Sequence, residues 1–123
     1  MKPETIFSHN LVNEFRLQLD EDSQLCRMES NYTQQGIPDI YICYQGVSCW
    51  VETKVDDYPL SSLQISWHRQ HRRAGGMVFT VTQEIIKGGN KYSLEYDGMV
   101  WFFDSLVGVV GTVIYMIEET KHA

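Results

Sequence analysis

The stretch from Asp39 to Glu52 constrains this chain more than any other. Ile40, Ile42 and Tyr44 alternate with Asp39, Tyr41 and Cys43. After Gln45-Gly46, the residues Val47, Cys49 and Val51 alternate with Ser48, Trp50 and Glu52. Two alternating runs around a two-residue loop that ends in glycine predict a β-hairpin. With Gln45 and Gly46 as the loop, counting outward pairs Asp39 with Glu52 on one face, their Cβ atoms about 5 Å apart. Lys54, two residues past Glu52, shares that face. The opposite face carries Ile40, Ile42, Tyr44, Val47, Cys49 and Val51 and reads as core.

Two carboxylates opposed across a pair of strands repel and destabilise it. A divalent cation between them turns that repulsion into binding, and hard oxygen donors select Mg²⁺ or Mn²⁺. Such an ion polarises a phosphate and acidifies a bound water, with Lys54 placed to hold that water or to stabilise developing negative charge. The bland alternative is a solvated pair of edge charges beside a lysine. It accounts poorly for Asp39 following Gly36-Ile37-Pro38, a rigid lead-in that fixes its position.

Around this hairpin the chain is organised without repeats, linkers or low-complexity tracts. At 123 residues, 43% hydrophobic and 21% charged, it has the length of one domain and enough apolar surface to fold. Phe7, Leu11, Phe15 and Leu19 recur every four residues and predict an amphipathic helix over 4–19, ended by Asp20-Glu21-Asp22-Ser23. A short strand is expected at 25–29. Leu63 and Trp67, one helical turn apart, mark a helix over 60–74 that Gly75-Gly76 stops. A buried-type strand follows at 77–82, then turns and further strands past Lys87-Gly88-Gly89-Asn90-Lys91. Residues 105–119 read equally as helix or strand, because β-branched residues and two glycines crowd them. The apolar run 99–117 approaches the length of about 20 residues that a membrane span needs. Asp104 in its middle and the strand-like Val100-Trp101-Phe102-Phe103 favour a buried core or a dimer surface over a membrane. Cys26, Cys43 and Cys49 form no C-x-x-C pair and suit a reducing compartment. The N-terminus, Met1-Lys2-Pro3-Glu4, lacks the pattern of a signal peptide.

These motifs resemble a known family. Gly36-Ile37-Pro38-Asp39, Trp50-Val51-Glu52-Thr53-Lys54, Leu60-Ser61-Ser62-Leu63-Gln64 and Gly75-Gly76 before an apolar strand are similar to the PD-(D/E)XK nuclease superfamily. Within it they resemble the small phage-type VRR-NUC branch, related to Holliday junction resolvases. The likeness covers roughly residues 4–82, leaving 83–123 as a C-terminal extension of the single domain. It implies a restriction-endonuclease-like α/β fold, a mixed central sheet flanked by helices. It also implies a Mg²⁺- or Mn²⁺-dependent endonuclease acting on branched DNA such as a four-way junction. A nicking or flap nuclease and a non-cleaving DNA- or protein-binding module are the alternatives. Asp39 and Glu52 then bind the metal, Lys54 serves catalysis, Gln64 orients water, ligand or phosphate, and the backbone of Thr53 is a further candidate ligand.

The family often adds a glutamate from an N-terminal helix. At about 100° per residue, Leu11 and Phe15 fall within about 20° of Glu4, whereas Glu14 lies about 80° from it. Glu4 therefore sits in the buried stripe and is favoured over Glu14. The alternative for Glu4 is a simple charge at the helix start. Symmetric cutting of a junction needs two sites, so a homodimer is expected, with 99–117 as its interface. The likeness to phage proteins suggests the bacterial cytoplasm.

Charge at first argues the other way. A formal net charge of −6 disfavours nucleic acid, whose binding rests on counterion release by basic residues. Binding answers to the local field, however. Asp39, Glu52 and Glu4 are assigned to a metal, while Arg69, Arg72 and Arg73, with His68 and His71, gather on one helix as candidate DNA contacts. Metal ligation by the two histidines is the lesser alternative. Tyr58, in the loop before that helix, either stacks on a base or packs on the hairpin.

Overall fold

The computed structural model describes residues 2–28, 36–56 and 59–122, with 121 and 122 described by their backbone only. Tyr58 therefore lies outside the described residues. The elements are α1 (Pro3–Gln18), β1 (Ser23–Arg27), β2 (Ile40–Tyr44), β3 (Val47–Val55), α2 (Ser62–Arg73), β4 (Met77–Ile86), β5 (Gly89–Tyr96), β6 (Met99–Phe103) and α3 (Leu106–His122).

The expected hairpin forms in the expected register, with Tyr44 opposite Val47 and Ile40 opposite Val51. Gln45 (φ 52°) and Gly46 (φ 79°) are both left-handed, the backbone of a type I′ turn whose twist suits two-residue hairpins. Asp97 (φ 50°) and Gly98 (φ 82°) make the same turn between β5 and β6, joining Tyr96 to Met99. Lys87 and Gly88 connect β4 to β5. The six strands thus lie in chain order, all antiparallel to their neighbours except β3 and β4, which run parallel with α2 as their crossover.

Strand alternation sorts the side chains into two layers. Ile40, Ile42, Cys49, Val51, Phe79, Val81 and Leu94 are fully buried on one face. Against them pack Phe7, Leu11, Val12 and Phe15 of α1 and Val109, Val110, Val113, Ile114 and Ile117 of α3. The stretch 105–119 is therefore helical over nearly its whole length. Its buried residues recur at helical spacing, and that burial outweighs the strand preference of its valines and isoleucines. Ser105 supports the start, its hydroxyl accepting from Gly108 N at 3.4 Å. The apolar run 99–117 is part edge strand and, for the larger part, core helix. Among the described residues no helix is long and apolar enough to cross a membrane.

The other face of the sheet carries α2. Ser61 and Gln64 form a capping box: Gln64 N donates to Ser61 Oγ (3.2 Å) and Ser61 N to Gln64 Oε1 (2.9 Å). The apolar pair that signalled this helix does not seat it. Leu63 is exposed, Trp67 rests edge-on against Trp50 at 5.4 Å, and His68 is the helix's buried side chain.

Gly36 brings the lead-in of Asp39 against the start of α2. It has φ 92°, and a Cβ there would sit 2.5 Å from the Leu63 carbonyl oxygen. Strain and clash coincide, so Gly36→Ala is expected to lower stability by about 2 kcal/mol or more, read as a lower urea midpoint at unchanged m-value.

A candidate metal centre

The site lies where the end of β3 meets the start of β2 and the first turn of α1. Asp39 stands one residue before β2, in register to oppose Glu52, and its backbone oxygen accepts from Met28 N at 2.7 Å. Its side chain is held from β3: Oδ2 accepts from Thr53 N (2.8 Å) and Thr53 Oγ1 (2.7 Å). The Thr53 amide and hydroxyl thus fix Asp39.

Glu52 and Lys54 point to the α2 face of β3, at 0% and 8% exposure. Neither carboxylate oxygen of Glu52 has a hydrogen-bond partner among the described residues. Glu4 completes the group: one carboxylate oxygen each of Glu4, Asp39 and Glu52 lies within 4.8 Å of the others. Glu14 is not part of it and accepts instead from Gln18 Nε2 at 3.0 Å.

The electrostatics follow from this crowding. Burial, and then the neighbouring Asp39 carboxylate, push Glu52 up to about 10. Burial also raises Glu4, with Lys54 acting against it. The cation-free protein therefore keeps a proton on Glu52 at neutral pH, a state that metal binding must reverse.

Buried carboxylate oxygens without a donor, three carboxylates in reach of one point and an all-oxygen donor set fit a hard divalent cation. Glu4, Asp39 and Glu52 are the residues that would hold it.

On α2 the picture departs from expectation. Arg69 and Arg73 are exposed and Arg72 half-buried. His68, grouped with them on sequence, is 1% exposed and turned toward Glu52, with Nε2 3.6 Å from Oε1. Burial and the nearby Arg72 lower it to about 4, so the imidazole is neutral at pH 7. His71 is half-buried and stacks on Trp67 at 4.8 Å. Gln64 is drawn into the helix cap through its carbonyl oxygen. The position of His68 was available from spacing: Gln64 was expected to face the site, and a residue four further on shares its face.

Among the described residues, six strands in a mixed sheet and three flanking helices give the chain a restriction-endonuclease-like α/β fold. A solved structure with this arrangement is that of Hjc, a Holliday junction resolvase from Archaeoglobus fulgidus. The two share a TM-score of 0.53 and 16% identity, over 83% of this chain and 87% of that one. No protein-family profile and no curated protein matches the chain.

Proposed function

We propose that this chain is a Mg²⁺- or Mn²⁺-dependent endonuclease that hydrolyses phosphodiester bonds of branched DNA. The observation that carries the reading is the Glu4–Asp39–Glu52 cluster, with Lys54 two residues past Glu52 on the same strand face. The motif order supports the VRR-NUC branch, and the fold shared with a Holliday junction resolvase supports a branched substrate.

When bound, the cation supplies Lewis acidity toward a phosphate oxygen and an acidified water. The chain supplies the rest. Asp39, tethered by Thr53, and Glu52, buried on β3, present carboxylates from rigid positions. Lys54, only 8% exposed, brings positive charge into a site with little water, where it stabilises negative charge developing on the phosphate. Arg69, Arg72 and Arg73 follow on the next helix and hold the flanking backbone. The free amide nitrogen of Gln64 remains for orienting water or phosphate.

Cutting both strands of a junction calls for two copies of the site. Met99, Val100 and Phe102 on β6, with Val107 and Tyr115 on α3, are exposed and are what the segment 99–117 offers a second copy.

Labelled four-way junction, flap and linear duplex, incubated with Mg²⁺ or Mn²⁺, test the reading beside an Asp39→Ala variant. The junction is expected to be cut in paired positions by the unmodified protein and left intact by the variant. Preference for the flap would correct the substrate. Failure to cut any of the three would overturn the enzyme in favour of a binding module.

A further inference from the structure

Two buried polar side chains face each other across the gap between α2 and β3. Glu52 and His68 are 0% and 1% exposed. Neither the carboxylate oxygens nor Nε2 has a hydrogen-bond partner among the described residues, and Nε2 lies 3.6 Å from Oε1. That is beyond hydrogen-bonding distance, yet a small side-chain rotation closes it.

Burying an imidazole without a polar partner costs free energy that a leucine or phenylalanine in its place would avoid. The rest of α2 offers little apolar contact to offset that cost, since Leu63 and Ile65 are exposed. Trp67 meets the His68 ring edge-on at 6.3 Å and helps fix its plane. A carboxylate that ligates a metal is itself held by hydrogen bonds. Asp39 has this support from Thr53 through Oδ2. Neither oxygen of Glu52 has such support among the described residues, and His68 Nε2, itself without a partner, faces Oε1 at 3.6 Å.

We infer that His68 is the positioning residue for Glu52: its Nε2–H tethers one carboxylate oxygen and leaves the other directed at Glu4 and Asp39. The two carboxylates are then held alike, one oxygen tied to the protein and one free. This inference rests on reading the cluster as a metal centre.

The test uses His68→Gln, which keeps an N–H donor at similar reach, and His68→Met, which has a similar shape and no donor. Circular dichroism checks the fold, and calorimetry measures Mn²⁺ affinity. His68→Met is expected to bind Mn²⁺ about 10- to 100-fold more weakly, with His68→Gln close to the unmodified protein. In cleavage the His68→Met defect is a higher Mn²⁺ requirement, overcome at saturating Mn²⁺. If His68→Met does not fold, His68→Phe takes its place with the same expectation. Unchanged affinity without the donor, or equal loss in His68→Gln, overturns the role of His68 and leaves the metal centre standing. Failure of the unmodified protein to bind Mn²⁺ overturns the metal centre and this inference together.

Discussion

Glu52→Gln is expected to melt at a higher temperature than the unmodified protein in metal-free buffer at pH 8, and to have lost Mn²⁺ binding and DNA cleavage. Glu52 is fully buried, and its carboxyl is held up to about 10 from an ordinary 4.5. At pH 8 the unfolded chain releases this proton while the folded chain retains it, so folding carries the cost of keeping the acid neutral. Each pH unit above the ordinary value costs about 1.4 kcal/mol, which makes the gain from a neutral amide on the order of 4 kcal/mol. For a chain of 123 residues that corresponds to a melting temperature higher by about 10 °C or more. Stability and function are opposed at this residue, as is common where a site concentrates like charges. A Glu52→Gln protein that melts below the unmodified one at pH 8 would show that the carboxyl is not held protonated.

The same proton makes stability depend on both pH and metal. Two shifts act in opposite directions. Glu52 is raised to about 10, so its effect weakens the fold as pH climbs above 4.5. His68 is lowered to about 4 from 6.5, so its effect weakens the fold as pH drops below 6.5. Between 4.5 and 6.5 the two slopes cancel. Between pH 6.5 and 8.5 the Glu52 shift dominates, and metal-free stability falls by about 1.4 kcal/mol per pH unit. From pH 6.5 to 8.5 the melting temperature is expected to drop by about 10 °C. Saturating Mn²⁺ removes that slope, because an ion bound between the carboxylates favours the charged form of Glu52. The stabilisation by Mn²⁺ therefore grows with pH. Scanning calorimetry at both pH values, with and without Mn²⁺, reads all four terms. A metal-free protein equally stable at pH 6.5 and 8.5 would contradict the assignment.

Much of the site was legible because a hairpin with a two-residue loop leaves no freedom of register. Once Gln45 and Gly46 are the loop, Asp39 must oppose Glu52, and Lys54 must share its face. Glu4 was legible for a related reason, since the helical period aligns it with Leu11 and Phe15, both fully buried. Periodicity said less where burial is decided by partners distant in sequence. Residues 105–119 become α3 because a groove beside α1 accepts Val109, Val113 and Ile117, and local preference alone does not reveal that groove. His68 was misplaced because histidine among arginines on a polar helix reads as solvated. Its partner is 16 residues away on β3, and only the crossover brings them together. The Thr53 support of Asp39 escaped notice because Thr53 belongs to the core face of its strand, while Asp39 turns back to it from the bend before β2.

The type I′ turn at Gln45 and Gly46 also bears on the order in which the protein is assembled. Asp39, Glu52 and Lys54 all belong to one local hairpin, a unit that closes on the microsecond scale and asks little of chain-closure entropy. The two carboxylates meet while water still screens them. Their repulsion reaches full strength only when α2 swings across from the far end of β3 and seals Glu52 from solvent. Taking up the Glu52 proton is therefore tied to the docking of this one helix, whose inward anchor is a histidine. At alkaline pH without metal, α2 is therefore expected to detach before the sheet with α1 and α3, seen as faster amide exchange along α2 than along β3 and β4.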